Sequence, residues 1–93
     1  MDFPEFRAAV SRGLNRHKPG ICISQVEYFI NLTAKEYLSK VEAQKDSGSG
    51  KQILRPIFAG VAAKMFDINP AHDPGRATHV ADLIIEEMAL AVA

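Results

Sequence analysis

The sequence predicts an all-α fold, a compact four-helix domain with roughly antiparallel helices. Four segments carry apolar residues at helical spacing, and each opens with residues that favour a helix start. The composition, 47% hydrophobic and 24% charged over 93 residues, is that of a folded globular chain. A chain of this length removes only about 60–65% of its unfolded surface from water, so we predict a single domain, residues 1–93, with one modest core.

The first helix is predicted over residues 3–17. Asp2 is suited to the N-cap, and Glu5 three residues later completes a carboxylate version of the capping box. The apolar stripe that follows consists of Phe3, Phe6, Val10 and Leu14. Pro19-Gly20 then end the helix, because proline removes a backbone donor and glycine favours the C-terminal turn.

The second helix is predicted over residues 25–45. Ser24 and Glu27 form a capping box that places its start after Ser24. One face of the helical wheel is predicted to be core, and it contains Val26, Ile30, Thr33, Ala34, Tyr37 and Val41. Tyr28 and Leu32 lie on the other side with Phe29 at the margin, which leaves a second apolar patch.

A flexible connector is predicted at residues 46–50, DSGSG. With Lys51 it matches part of a phosphate-binding loop. That motif also needs a glycine five positions before Gly50 and a Ser or Thr after the lysine, where this chain has Lys45 and Gln52. We therefore predict neither a nucleotide nor another cofactor.

The third helix has two possible starts. It begins near residue 50 and is kinked at Pro56, or it begins late, at Pro56 itself. Residues 57–66, IFAGVAAKMF, mix large and small side chains around the whole circumference. A helix of this kind can be approached from more than one side, which indicates a central position.

The fourth helix is predicted to start with Asp73 as N-cap and Pro74 in the first turn, after a turn over residues 67–75. It is apolar on one face and on a flank that includes Ile85 and Leu90. Helices three and four thus each need cover on two sides, which a symmetric homodimer, or another helical protein, would supply. The predicted interface is Leu83, Ile84, Met88 and Val92, with Tyr28 and Leu32 as a second patch. The alternative is that the alanine-rich flanks face water.

The net charge is zero, so no overall field draws the chain to nucleic acid or anionic lipid. Residues 1–22 carry four basic and two acidic groups, and residues 69–93 carry one and four. This favours an acidic last helix beside basic neighbours or beside a second subunit. The alternative is a mixture of solvated charges.

Cys22 is the single cysteine, which excludes an internal disulfide and fits a reducing cytoplasm. Its position between two isoleucines predicts a small buried residue rather than a catalytic thiol. No apolar stretch reaches the roughly 18 residues of a membrane span, so we predict no membrane partner.

The sequence favours a cytoplasmic binding or regulatory module over an enzyme, and no catalytic residue is predicted. Two alternatives remain open. A metal-dependent enzyme would use the polar cluster of residues 72–86, with ligands from His72, His79, Asp82 and Glu86. A DNA- or RNA-associated regulator would use the basic first helix, through Arg7, Arg12, Arg16 and Lys18.

Overall fold

The chain folds as four α-helices in a computed structural model that describes residues 2–43, 50–69 and 71–92. They are α1 (Phe3–His17), α2 (Ile23–Ala43), α3 (Gly50–Met65) and α4 (Pro74–Val92). The described residues contain no strand. The predicted all-α, four-helix fold is therefore confirmed.

The helices form a closed ring of neighbours. α4 packs between α1 and α3, α2 packs against α3, and α1 makes its smaller contact with α2. α1 and α4 run antiparallel, because Arg16, near the end of α1, reaches Glu86, whereas the start of α1 lies beside Ala91. The Cα radius of gyration is 12.7 Å, close to the ~12 Å expected of a folded domain of this length.

The predicted start of α1 is confirmed in detail. Asp2 has an extended backbone conformation, and its carboxylate oxygen Oδ1 accepts a 2.9 Å hydrogen bond from the Glu5 amide. This bond satisfies one of the amides that a helix start leaves without a partner. The start of α4 at Pro74, directly after Asp73, is also as predicted.

The predicted capping role of Ser24 is wrong. α2 begins two residues before the predicted start, at Ile23, so Ser24 lies inside the first turn. The backbone carbonyl of Cys22 accepts from the amides of Gln25 and Val26, at 3.1 and 3.3 Å. The Ser24 hydroxyl lies 3.1 Å from the Cys22 sulfur instead.

α3 begins at Gly50, and Pro56 lies inside it. The structure thus decides against the later of the two predicted starts. Proline is accommodated here in the second turn, where it removes one backbone hydrogen bond from the helix. Of the predicted connector at residues 46–50, only Gly50 belongs to the described residues.

The core is centred on Phe58 of α3. Its ring lies 5.8 Å from that of Phe29 on α2 and 6.4 Å from that of Phe6 on α1, between ring centroids. Both distances fall in the range of favourable aromatic pairs. The buried cluster around it comprises Val10, Leu14, Val26, Phe29, Ile30, Ile57, Val61, Ala62, Val80, Ala81 and Ile84.

The buried face of α2 differs from the predicted one. Phe29, expected at the margin, is fully buried, while Ala34 and Tyr37 are exposed. The face is rotated toward α3 because α3 covers more of α2 than α1 does. Val26, Ile30 and Thr33 are buried as predicted.

α3 and α4 each have a neighbouring helix of the same chain on two sides. α3 lies between α2 and α4, in the predicted central position, and α4 lies between α1 and α3. Leu83 and Ile84 are consequently buried within the chain, and Ile85 is partly buried against the core. Leu90, 68% exposed, is the one large apolar side chain of α4 that remains exposed among those described. The apolarity of α4 is therefore not by itself an argument for a dimer.

Gly13 marks the closest approach of α1 and α4. A Cβ atom built at Gly13 would lie 2.7 Å from both Cα and Cγ1 of Ile84. Because one of these atoms belongs to the backbone of α4, a side-chain rotation cannot relieve the clash. Only glycine permits this helix spacing.

We expect Gly13→Ala to lower the free energy of unfolding by up to about 2 kcal/mol. The overpacking cost of about 1–3 kcal/mol exceeds the gain of about 1 kcal/mol from replacing a helical glycine by alanine. Chemical denaturation measures the change. Gly60→Ala in α3 is the matched control, because nothing lies within 4 Å of its added Cβ. It should raise stability by up to about 1 kcal/mol. Equal effects of the two substitutions would contradict the close approach.

Candidate functional site

The basic residues of α1 are engaged by acidic residues of the same chain. Arg7 forms an ion pair with Glu27 of α2. Arg12 Nε lies 3.2 Å from Glu87 Oε2, and Arg16 Nη1 lies 3.0 Å from Glu86 Oε2. The acidic last helix thus lies beside a basic neighbour, one of the two arrangements that the charge distribution favoured. These contacts offset the positive charge on which a nucleic-acid site would depend.

Lys18, the fourth basic residue of that alternative, lies just beyond the end of α1. It is exposed, and its backbone amide donates to the Leu14 carbonyl at 2.8 Å. Arg7 faces α2 while Arg12 and Arg16 face α4. The four basic residues are thus spread over different sides of α1 rather than gathered in one stripe.

The four candidate metal ligands do not converge. Asp82 accepts hydrogen bonds from Arg55 of α3, at 2.8 and 3.3 Å, and Glu86 is bound to Arg16. His72 and His79 are both exposed. Within residues 2–43, 50–69 and 71–92, no group of three or more His, Cys, Asp or Glu side chains is placed to hold a metal ion. The hydrogen bond from Arg55 also lowers the pKa of Asp82.

Cys22 is exposed, so its predicted burial is wrong. It directly precedes α2. The hydrogen bond with the Ser24 hydroxyl lowers the pKa of the thiol, with a further contribution from Gln25. Among the described residues, the side chains that contact the thiol are those of Ser24 and Gln25. Neither is an acid or a base that could activate the thiol for catalysis.

The residues predicted to form the dimer interface lie in separate parts of the structure. Tyr28 is 49% exposed and Leu32 is partly buried, both on α2. Leu83 and Ile84 of α4 are in the core, and Met88 is half-buried. α2 and α4 lie diagonally in the ring without packing against each other. The side chain of Val92 lies outside the described residues.

An apolar groove opens between α1 and α2, the two neighbouring helices with the smallest contact. Its volume is ≈ 450 Å³, and its walls come from all four helices. They include Phe3 and Phe6 of α1, Ile30 and Tyr37 of α2, Leu54 of α3 and Met88 of α4. Both the size and the apolar lining are typical of small-molecule sites.

Thr33 contributes the buried polar group of this groove. It is 3% exposed, and within the described part of the chain its hydroxyl oxygen Oγ1 has no hydrogen-bond partner. A threonine in a helix commonly satisfies its hydroxyl at a carbonyl of the preceding turn, but this one does not. An unpaired buried hydroxyl costs about 1–3 kcal/mol. Thr33 was predicted to lie on the core face of α2. A polar residue among the apolar residues of that face is the sequence feature that points to a buried hydroxyl.

A second shallow depression lies on the other side of Phe3. Its volume is ≈ 380 Å³, and Phe3, Arg7, Ile23 and Val26 are among its lining residues. Ile23 is 73% exposed and Phe3 61%. We refer to the surface formed by Phe3, Arg7, Ile23 and Glu27 as the α1–α2 face. The α1–α2 face was not predicted from the sequence, because Phe3 was expected to belong to the apolar stripe of α1.

The comparisons with known proteins identify no relative. No family model matches the chain, and neither a curated protein nor a solved structure matches it. In the described part of the chain, no helix combines the length and the apolarity needed to cross a membrane.

The lowered pKa of His17 leads us to expect that the stability of the fold depends on pH. Burial lowers its pKa in the folded state, with further lowering by Arg76 and His79 of α4. The unfolded chain, with a histidine pKa of about 6.5, therefore binds a proton first as the pH falls. The contribution of His17 to stability is complete above about pH 6.5 and is lost as the pH falls through the folded-state pKa.

We expect the melting temperature to fall between about pH 7.5 and pH 5 and His17→Gln to reduce this slope. His72→Gln, in the exposed turn before α4, is the control and should retain the wild-type slope. Thermal denaturation followed by circular dichroism measures all three proteins. An unchanged slope in His17→Gln would contradict the assignment.

We expect Thr33→Val to raise the free energy of unfolding by about 1 kcal/mol. Valine keeps the β-branched shape and removes the hydroxyl that lacks a partner. Urea denaturation measures the difference. A loss of stability would mean that the hydroxyl makes a hydrogen bond in the free protein.

Proposed function

We propose that the protein is a small binding module that acts as a homodimer, and that two copies associate through the α1–α2 face. The observation that carries this proposal is the exposure of Ile23 and Phe3 on one surface. Both line the same depression, so they form one apolar patch rather than scattered side chains.

The charges of the α1–α2 face support a second copy as the partner. Arg7 and Glu27 carry opposite charges and form an ion pair within one chain. Across a two-fold axis, Arg7 of each copy can pair with Glu27 of the other, because a two-fold interface brings identical surfaces together. A face that carries both members of an ion pair is thus self-complementary in charge.

We place the dimer interface on the α1–α2 face rather than on α4, where the sequence predicted it. Leu83 and Ile84 already have their cover within the chain, and exposing them would cost the core its contacts. Met88 contributes to the neighbouring groove rather than to the α1–α2 face. A binding role is favoured over catalysis because the acidic candidates Asp82 and Glu86 are engaged in ion pairs.

We expect Ile23→Glu to weaken dimerisation at least about tenfold, since a charge would be buried against the partner's apolar patch. Sedimentation equilibrium over micromolar concentrations measures the association. Leu90→Glu is the matched control, because Leu90 is similarly exposed but lies on α4. It should dimerise as the wild type does. A wild-type protein that stays monomeric at high micromolar concentration would refute the dimer.

Charge reversal tests whether Arg7 and Glu27 contribute to the association of two copies. We expect Arg7→Glu and Glu27→Arg each to weaken the dimer, because like charges would then face each other. The protein with both substitutions should recover most of the association. If the double variant stays as weak as the single ones, the two residues do not meet across the interface.

A further inference from the structure

We propose that the side chains of His17, Arg76 and His79 bind the phosphate group of a small phosphate monoester. The site lies where the end of α1 meets the first turns of α4. It is about 20 Å along α1 from Phe3, at the other end of that helix from the α1–α2 face. The proposal therefore does not require the dimer.

Arg76 is the one arginine without an ion-pair partner among the described residues. The other arginines, each bound to a carboxylate of the same chain, are Arg7, Arg12, Arg16 and Arg55. Arg76 is also exposed. Its guanidinium is a planar group whose N–H donors match the spacing of phosphate oxygens. The group is thus available to an anionic ligand.

Two histidines bring further donors to Arg76. His79 follows it by three residues on α4, a spacing that places both side chains on the same side of a helix. His17 approaches from α1, because the two helices run antiparallel and Gly13 of α1 contacts Ile84 of α4. His17 lies one turn after Gly13, and His79 lies about one turn before Ile84. Arg76, His79 and His17 therefore converge from two helices.

The surroundings of His17 favour an anion beside it. Its ring is held in place by Phe66, edge to face, with 4.9 Å between the ring centroids. Burial lowers the pKa of His17, and the neighbouring charges of Arg76 and His79 lower it further. A bound anion would be attracted by all three groups and would raise the pKa of His17 again.

The carboxylates of the neighbouring segments leave this cluster positive. Asp82 and Glu86 of α4 are each bound to an arginine. Asp67 and Asp73, between α3 and α4, are exposed and form no ion pair with another described residue. Lys18, exposed at the end of α1, adds a further positive charge. The local excess of positive charge is not offset by these carboxylates.

A phosphate monoester matches the cluster better than other common anions. It carries a charge of about −1.5 to −2 at neutral pH and three acceptor oxygens. A guanidinium and two imidazoles can donate to all three oxygens. A carboxylate offers two oxygens and one charge, so it should bind less well. A single cluster of this size also fits one phosphate group rather than the row of phosphates in a nucleic acid.

Nuclear magnetic resonance of the histidine and tyrosine rings tests the proposal, with glycerol 3-phosphate as the probe at constant ionic strength. We expect the ring signals of His17 and His79 to shift saturably at neutral pH. The ring signals of Tyr28, on α2, should stay constant. Glycerol should cause no shift, and acetate should need a several-fold higher concentration.

The arginine is tested by a matched pair of variants. Arg76→Gln should weaken the binding of glycerol 3-phosphate at least about tenfold, because it removes charge-assisted hydrogen bonds. Lys35→Gln removes the same charge from an exposed position on α2 and should bind as the wild type does. Neither residue is buried, so both variants should unfold at the wild-type denaturant concentration. Weaker binding then reports the site rather than the fold.

The pH dependence of sulfate binding tests the role of His17. Sulfate keeps both negative charges between about pH 8 and about pH 6, so a change in its affinity reports the protein alone. We expect tighter binding at the lower pH, since protonation of His17 and binding of an anion favour each other. The pKa of His17, read from its ring signal, should rise in sulfate. His17→Gln should reduce the pH dependence, with His79 retaining a part of it.

Several results would overturn the site. One is the absence of saturable shifts at His17 and His79 with tens of millimolar glycerol 3-phosphate, and another is wild-type binding by Arg76→Gln. Equal weakening in Lys35→Gln would also do so, since the net charge would then attract the anion. Affinity for sulfate that does not change with pH would remove His17 from the site.

The Ile23→Glu variant separates this proposal from the dimer. As a monomer it should still bind glycerol 3-phosphate with wild-type affinity, because the site and the α1–α2 face lie at opposite ends of α1. Loss of binding in this variant would contradict a site formed within one chain. A wild-type protein that is monomeric and binds the probe would refute the dimer and support the site.

Discussion

The structure depends on the close contact between α1 and α4 at Gly13 and Ile84. The absence of a side chain at Gly13 lets the two helix backbones approach, since an added Cβ would lie 2.7 Å from the Ile84 backbone. Arg12 and Arg16 then meet Glu86 and Glu87 alongside this contact. Such exposed pairs contribute little stability, but they match the antiparallel direction of the two helices. Shape at the contact and charge beside it thus favour the same arrangement.

The groove lies beside the least extensive of the four helix–helix contacts. α1 packs most closely on α4 and makes a smaller contact with α2. The space between α1 and α2 is consequently filled only in part, by Phe6 against Phe58. Thr33 is buried beside this space, its hydroxyl without a hydrogen-bond partner among the described residues, and Phe3 is exposed at the edge. A domain of this size has few side chains with which to close such a gap.

The α1–α2 face and the groove beside it differ in shape and in charge. The α1–α2 face is exposed, apolar at Ile23 and charged in both signs, which suits a flat contact with an identical surface. The groove is concave and lined mainly by apolar side chains. Phe3 lines both, so the same ring borders the groove and the α1–α2 face.

The sequence by itself determined the helical class and the limits of α1, because apolar spacing and the Asp2 cap are local properties of the chain. It also predicted the start of α4 at Pro74 and the central position of α3. It placed Phe29 at the margin of the core, since which side of a helix is covered depends on its neighbours. It also misassigned Ser24 and Cys22, which lie at the start of α2. The cover of α4, the groove and the α1–α2 face were decided by tertiary structure alone. They arise from how closely pairs of helices approach, and contacts such as that of Gly13 with Ile84 join positions distant in the chain.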